Sequence, residues 1–244
     1  VVLFSLFFYY KSSGFYVLLL LLATTSDFLI AQALSHTPKG SPNRKRWVAL
    51  SMIINLGILS YFKYFNFLLD LIVQAIAGIG GLMGMETAST LQWEPWDIFL
   101  PVGISFYTFQ TMSYIADVYR GDIKPLKRWI DYLFYVSFFP QLVAGPIVRA
   151  KDFIPQIHRR PWVTRGEFGR GLFLILLGLF KKAVISDYIS LNFVDRIFDA
   201  PTLYSGLENL MAVYGYALQI YCDFSGYSDM AIGIALLLGF HFPM

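Results

Sequence analysis

Residues 15–34 read FYVLLLLLATTSDFLIAQAL, a run of 20 in which Asp27 is the only ionisable side chain. At about 1.5 Å of rise per helical residue, such a run crosses a hydrocarbon layer of about 30 Å. A helix is also the one single-segment structure that satisfies its own backbone in lipid. The stretch therefore predicts a transmembrane helix, and the composition of the chain extends that reading to the whole of it. Of 244 residues, 57% are apolar, 18% aromatic and only 14% charged, too little charge for a water-facing surface. The 16 Tyr and 23 Phe suit a bilayer protein, where rings sit at headgroup level and fill space between helices. The expected class is all-α: a polytopic transmembrane bundle with re-entrant or broken helices, residues 1–244 forming one partial integral membrane domain with both ends cut.

The net charge of +3 is modest, and the basic residues fall in short clusters between apolar runs. That pattern is topology, not a nucleic-acid surface, so the lipid bilayer is the expected partner. Lys39, Arg44, Lys45 and Arg46 place the loop after residue 34 in the cytoplasm. Residues 48–77 cross outward, and the cation-free stretch 78–97 lies outside. Residues 98–118 run back inward, where Gly121 can cap the helix behind Tyr119 and Arg120. Residues 129–148 have basic clusters on both flanks, which conflicts with a simple crossing. Pro140 and the Gly145-Pro146 pair would let the segment dip in and return. Residues 171–180, ending at Lys181-Lys182, either tilt at the inner interface or continue with 183–198 as one irregular element.

Residues 210–238 are apolar but carry DFSGYSDMA at 223–231 in their midst. Lipid cannot solvate Asp223 and Asp229, so the segment must be buried or line a wet cavity, and unwinding around Gly226 is expected. Pro146, Arg149, Asp223, Ser225, Tyr227 and Asp229 are the candidates for a substrate channel. Caps, or links from the aspartates to Lys or Arg, are the plainer alternative. Arg149, Lys181 and Lys182 are candidates to hold the phosphates of an acyl donor, or are simply interface anchors. Gly80 and Gly84 have the spacing of close helix contact. His36, His158 and His241 lack metal-ligand company, so no metal site is expected, and the lone Cys222 reads as a packing residue.

Three ordered motifs carry a family resemblance: LPVGISFYTFQ at 100–110 continuing to DVYRG at 117–121, FFPQLVAGPI at 138–147, and DFSGYSDMA at 223–231. Together they resemble the membrane-bound O-acyltransferases, most of all the branch of alginate O-acetyltransferase membrane subunits. The resemblance implies a helical bundle around a tunnel and an acyl donor approached from the cytoplasm, acetyl-CoA or another acyl thioester, with no resident cofactor. It also implies acyl export to hydroxyls of an extracytoplasmic polysaccharide, a separate extracytoplasmic acetyltransferase partner, and the bacterial inner membrane as location. The family's proposed catalytic histidine belongs to a segment beyond the GFHF stretch at 239–242, so His241 is not its counterpart and no residue here is assigned a catalytic role. An O-acyltransferase is thus the expected enzyme class. A secondary transporter or lipid flippase, whose broken helices also bury aspartates, and a noncatalytic scaffold of an export complex are the competing readings.

Overall fold

The computed structural model describes residues 1–82, 93–142, 145–146, 148–159 and 161–242. Among these, regular structure is helical throughout, as expected. In chain order the helices are α1 Val2–Ser13, α2 Val17–His36, α3 Pro42–Leu59, α4 Phe65–Leu82, α5 Ile104–Arg120, α6 Trp129–Ser137, α7 Phe139–Leu142, α8 Ala150–Ile157, α9 Arg165–Leu179, α10 Asp187–Ile189, α11 Asp195–Asp199 and α12 Gly206–Leu237. Two continuous helical runs, Val2–His36 and Pro42–Ile79, are long and apolar enough to cross a membrane. Gly84 lies outside the described residues, so the expected Gly80/Gly84 contact does too. The chain divides into two compact units, Tyr9–Pro125 and Val1–Phe8 with Leu126–Met244.

In the first unit α2, α3 and α5 pack together. Asp27 is fully buried there, and its charge-bearing oxygens are met by neutral donors. Ser51 Oγ donates to Oδ1 at 2.6 Å, and Asn55 Nδ2 donates to Oδ1 at 3.0 Å and Oδ2 at 2.8 Å. Thr111 Oγ1 completes the network by donating to Asn55 Oδ1 at 3.0 Å. Polar residues from three helices, one each from α2 and α5 and two from α3, thus fix their register, since slipping any helix by a turn would strand a buried polar group. Arg44 is a second tie. The sequence suggests a topogenic surface charge, but the side chain is buried and donates to Leu34 O at 2.8 Å, Thr37 O at 3.1 Å and Tyr119 O at 2.8 Å. These carbonyls lie at the C-terminal ends of α2 and α5, and a guanidinium suits their partial negative charge. α5 stops where expected: Gly121 takes φ 86°, and the N–H groups of Gly121 and Asp122 reach Asp117 O at 3.0 and 2.9 Å.

In the second unit, residues 129–142 are no single span. α6 has nine residues, about 13 Å of rise, and the chain breaks at Phe138, where ψ is 109°. The break falls before Pro140, which sits inside the four-residue α7, rather than at Pro140 itself. Gln141 Nε2 folds back to Tyr135 O at 2.6 Å and Tyr135 Oη donates to Val148 O at 3.0 Å, so the freed backbone finds partners within the protein. Phe138, Phe153 and Phe240 pack around the break, with Phe138 and Phe240 centroids 5.0 Å apart and Phe153 and Phe240 stacked at 5.3 Å.

Residues 165–199 form the one irregular element that the sequence left as an alternative: α9, a π-helical stretch Phe180–Ser186, α10, a second π stretch Ser190–Val194, and α11. α12 packs along it. The expected unwinding around Gly226 is overturned, because α12 runs unbroken for 32 residues through Asp223 and Asp229. Gly226 serves close approach instead. A Cβ on it would lie 2.7 Å from Gly178 O, and one on Gly233 would lie 2.5 Å from Gly171 O. The irregularity falls on the opposite helix, where π geometry begins just past Gly178, at the two lysines that face the aspartates.

Candidate functional site at the α9–α12 seam

Six residues along a helix turn through about 600°, which leaves Asp223 and Asp229 about 120° apart around α12, while consecutive lysines on the facing helix are about 100° apart. One lysine can therefore serve each aspartate without any break in α12. Lys181 Nζ lies 2.6 Å from Asp229 Oδ2 and donates to Ser225 Oγ at 2.9 Å. Lys182 Nζ lies 2.6 Å from Asp223 Oδ1 and 2.7 Å from Asp187 Oδ1, and 5.5 Å from the centre of the Tyr227 ring. The Lys181–Asp229 pair is the more enclosed, with 24% and 19% of the side chains exposed, whereas Asp223 and Asp187 are 42% and 45% exposed. A charged row therefore grades from sheltered to open along a seam whose flanks are apolar.

Tyr227 connects this row to a cavity of about 230 Å³. The far wall is the broken segment (Phe139, Pro140, Gly145) with Phe8, and the near wall is α12 (Tyr227, Met230, Ala231, Ile234). The lining is almost wholly apolar, suited to an acyl chain or to water exclusion and unable to hold a metal. The sequence-derived channel candidates Asp223, Ser225, Tyr227 and Asp229 thus meet Lys181 and Lys182 at one seam, with the aspartates linked to lysines. Pro146 is partly buried beside Gly145. Arg149 stands apart: it is exposed, precedes α8, and its guanidinium has no hydrogen bond or ion pair among the described residues. Of the donor candidates, the two lysines are engaged by carboxylates, and Arg149 has no such partner among the described residues. Cys222 is buried, in keeping with packing.

His241 lies elsewhere. Its backbone N–H and C=O pair with Gln156 at 2.8 and 2.9 Å, and its Nε2 is 2.7 Å from Glu167 Oε1. The Glu167 carboxyl is held down at about 2 by the Thr164 backbone N–H first, then by His241 and the Thr164 hydroxyl. His158 Nε2 is 3.4 Å from Asp131 Oδ2.

The membrane-bound O-acyltransferase family profile matches residues 127–243, a stretch that contains the broken segment, the irregular helix and α12. Over those residues the chain is similar to that family. Similar proteins include one from Pseudomonas syringae pv. tomato named Probable alginate O-acetylase AlgI, 39% identical over 198 residues, covering 81% of this chain and 36% of the relative. Others are the Peptidoglycan O-acetyltransferase of Helicobacter pylori, 32% identical and covering 86% of this chain and 42% of the relative, and the Teichoic acid D-alanyltransferase of Bacillus subtilis, 31% identical and covering 58% and 36%. The chain thus spans roughly two fifths or less of the length of these relatives. Within the family segment, Asp187 and the glycines of the seam were not anticipated from sequence. The glycines had a readable signal: Gly171 and Gly178 are seven apart, as are Gly226 and Gly233, so two helices packed antiparallel bring both pairs into register.

Proposed function

We propose that this chain is part of a membrane O-acyltransferase of the bacterial inner membrane, which moves an acetyl group from a cytoplasmic thioester such as acetyl-CoA toward hydroxyls of an extracytoplasmic polysaccharide. The reading rests on Tyr227, whose ring borders both the apolar cavity and the Lys182 ammonium, so that a path for a small acyl group runs beside fixed charges. The acyl-transfer or acetyl-transfer names of the relatives support the reaction class. In such a transfer the acceptor oxygen attacks the thioester carbonyl, a C–O bond replaces the C–S bond, and the hydroxyl proton passes to a base as the thiol leaves. No described residue is assigned that role. The part of the described residues is to shelter the acyl group, to hold charge beside it at Lys181 and Lys182, and at Arg149 to offer a guanidinium to donor phosphates. A separate extracytoplasmic acetyltransferase would complete delivery. The competing transporter reading drew on broken helices with buried aspartates, and α12 runs unbroken through Asp223 and Asp229.

The test is transfer of labelled acetyl from acetyl-CoA to polymer by inverted membrane vesicles carrying the full-length protein. Ile234→Trp, which fills the cavity from α12, is expected to cut transfer at least about tenfold, a barrier change of about 1.4 kcal/mol, at unchanged protein level. Undiminished transfer by the filled variant would remove the cavity from the path.

A further inference from the structure

A second cavity, of about 480 Å³, lies wholly within the Tyr9–Pro125 unit, between the last turn of α2 and the turn that follows α5. Its ionisable lining is basic: His36, Lys39, Arg44 and Lys124, with no carboxylate among the lining residues. Arg44 is already committed to the carbonyls of Leu34, Thr37 and Tyr119, so it cancels the negative ends of two helices instead of adding free charge. The ammonium groups of Lys39 and Lys124 are left over. Neither has a hydrogen bond or ion pair among the described residues, and the Lys39 Nζ is folded over the turn, 3.5 Å from where a Cβ on Gly121 would sit. Asp122 flanks the turn without lining the cavity, and Asp117 is buried and does not line it either. A concave site with two unpaired ammonium groups, at the ends of helices that the charge pattern turns toward the cytoplasm, matches a phosphate at headgroup depth.

We infer that this cavity binds a phosphate group between Lys39 and Lys124, either on the headgroup of an anionic phospholipid or on a soluble phosphate-bearing molecule. The site is outside the seam and does not depend on the acyl-transfer reading. Protein purified as the full chain in a neutral detergent and stripped of lipid is titrated with phosphatidylglycerol, phosphatidylcholine, coenzyme A or inorganic phosphate, following the unfolding midpoint by tryptophan fluorescence. Phosphatidylglycerol raising the midpoint where phosphatidylcholine does not identifies the lipid source, and coenzyme A or inorganic phosphate raising it identifies the soluble one. In either case Lys39→Gln with Lys124→Gln is expected to weaken the effective ligand at least about tenfold. Lys45→Gln with Lys127→Gln, the same change of charge at exposed positions outside the cavity, is expected to leave it within about twofold. An equal response from the two double variants, or no response of the unaltered protein to any anionic probe, overturns the site.

Discussion

Two regions of this molecule place carboxylates on helices of largely apolar sequence, and they do it in opposite ways. In the Tyr9–Pro125 unit a lone Asp27 is sealed from solvent and met by a hydroxyl and an amide. At the α9–α12 seam three aspartates are met by two full cations, and every member keeps contact with the outside. A sealed network of neutral donors holds one arrangement of helices and has nothing to exchange with. A partly open row of ion pairs can trade a partner for a ligand. The first is therefore architecture and the second is where chemistry can enter. Glycine makes the second possible, since the backbones must approach until only hydrogen fits before lysines three and four residues farther on can reach across.

That contrast breaks most sharply at the glycines. Gly178→Ala would press its Cβ against Gly226 O and to 2.8 Å from Met230 Cγ, and it is expected to destabilise by about 3 kcal/mol. Gly166→Ala, with open space around it, should stay within about 0.5 kcal/mol. Unfolding midpoints in detergent compare the two. A seam variant as stable as the control would mean that the helices are not in this contact. Next in size is Asp27→Ala, which strands the Ser51 hydroxyl and the Asn55 amide in a sealed site, at an expected cost of about 2 kcal/mol with no specific effect on acyl transfer per folded molecule. Asp229→Asn should do the reverse, with a stability change below about 1 kcal/mol because the pair is partly solvated, but a loss of transfer of about tenfold or more. If Asp27→Ala cut transfer per folded molecule and Asp229→Asn did not, the assignment of the two regions would have to be exchanged.

The sequence carried the fold class through hydropathy and three motifs, and it carried the meeting of Asp223, Asp229, Lys181 and Lys182 only as the plainer of two alternatives. Unwinding at Gly226 was a reasonable inference from one helix taken alone, since aspartates about 120° apart cannot share a single partner. What a single helix does not reveal is that its neighbour presents two consecutive lysines, and that the departure from α geometry falls there, at Phe180–Ser186. The burial of Arg44 was not legible for a related reason. Among Lys39, Lys45 and Arg46 it looks like one more topogenic charge, and only the convergence of the ends of α2 and α5 selects it for burial. Periodicity reports which face of an element is apolar, whereas partner choice depends on the neighbouring element.

The smallest effect expected concerns the start of α9, the helix that brings Lys181 and Lys182 to the seam. Thr164 and Glu167 form a reciprocal cap, with Glu167 N–H donating to Thr164 Oγ1 at 3.2 Å and Thr164 N–H donating to Glu167 Oε2 at 2.8 Å. The carboxyl sits at about 2 when folded against an ordinary 4.5. A lowered folded value means that the unfolded chain takes up the proton first as the solution is acidified. Stabilisation from the cap is therefore complete above about pH 4.5, declines below it, and is gone once the pH has fallen through about 2. Glu167→Gln should flatten the fall of the unfolding midpoint between pH 5 and 3 (roughly the accessible part of that window). Because the cap is exposed, the effect should be slight beside that of Gly178→Ala. A slope that survives the substitution intact would move the acid sensitivity of the second unit from the cap to the aspartates of the seam.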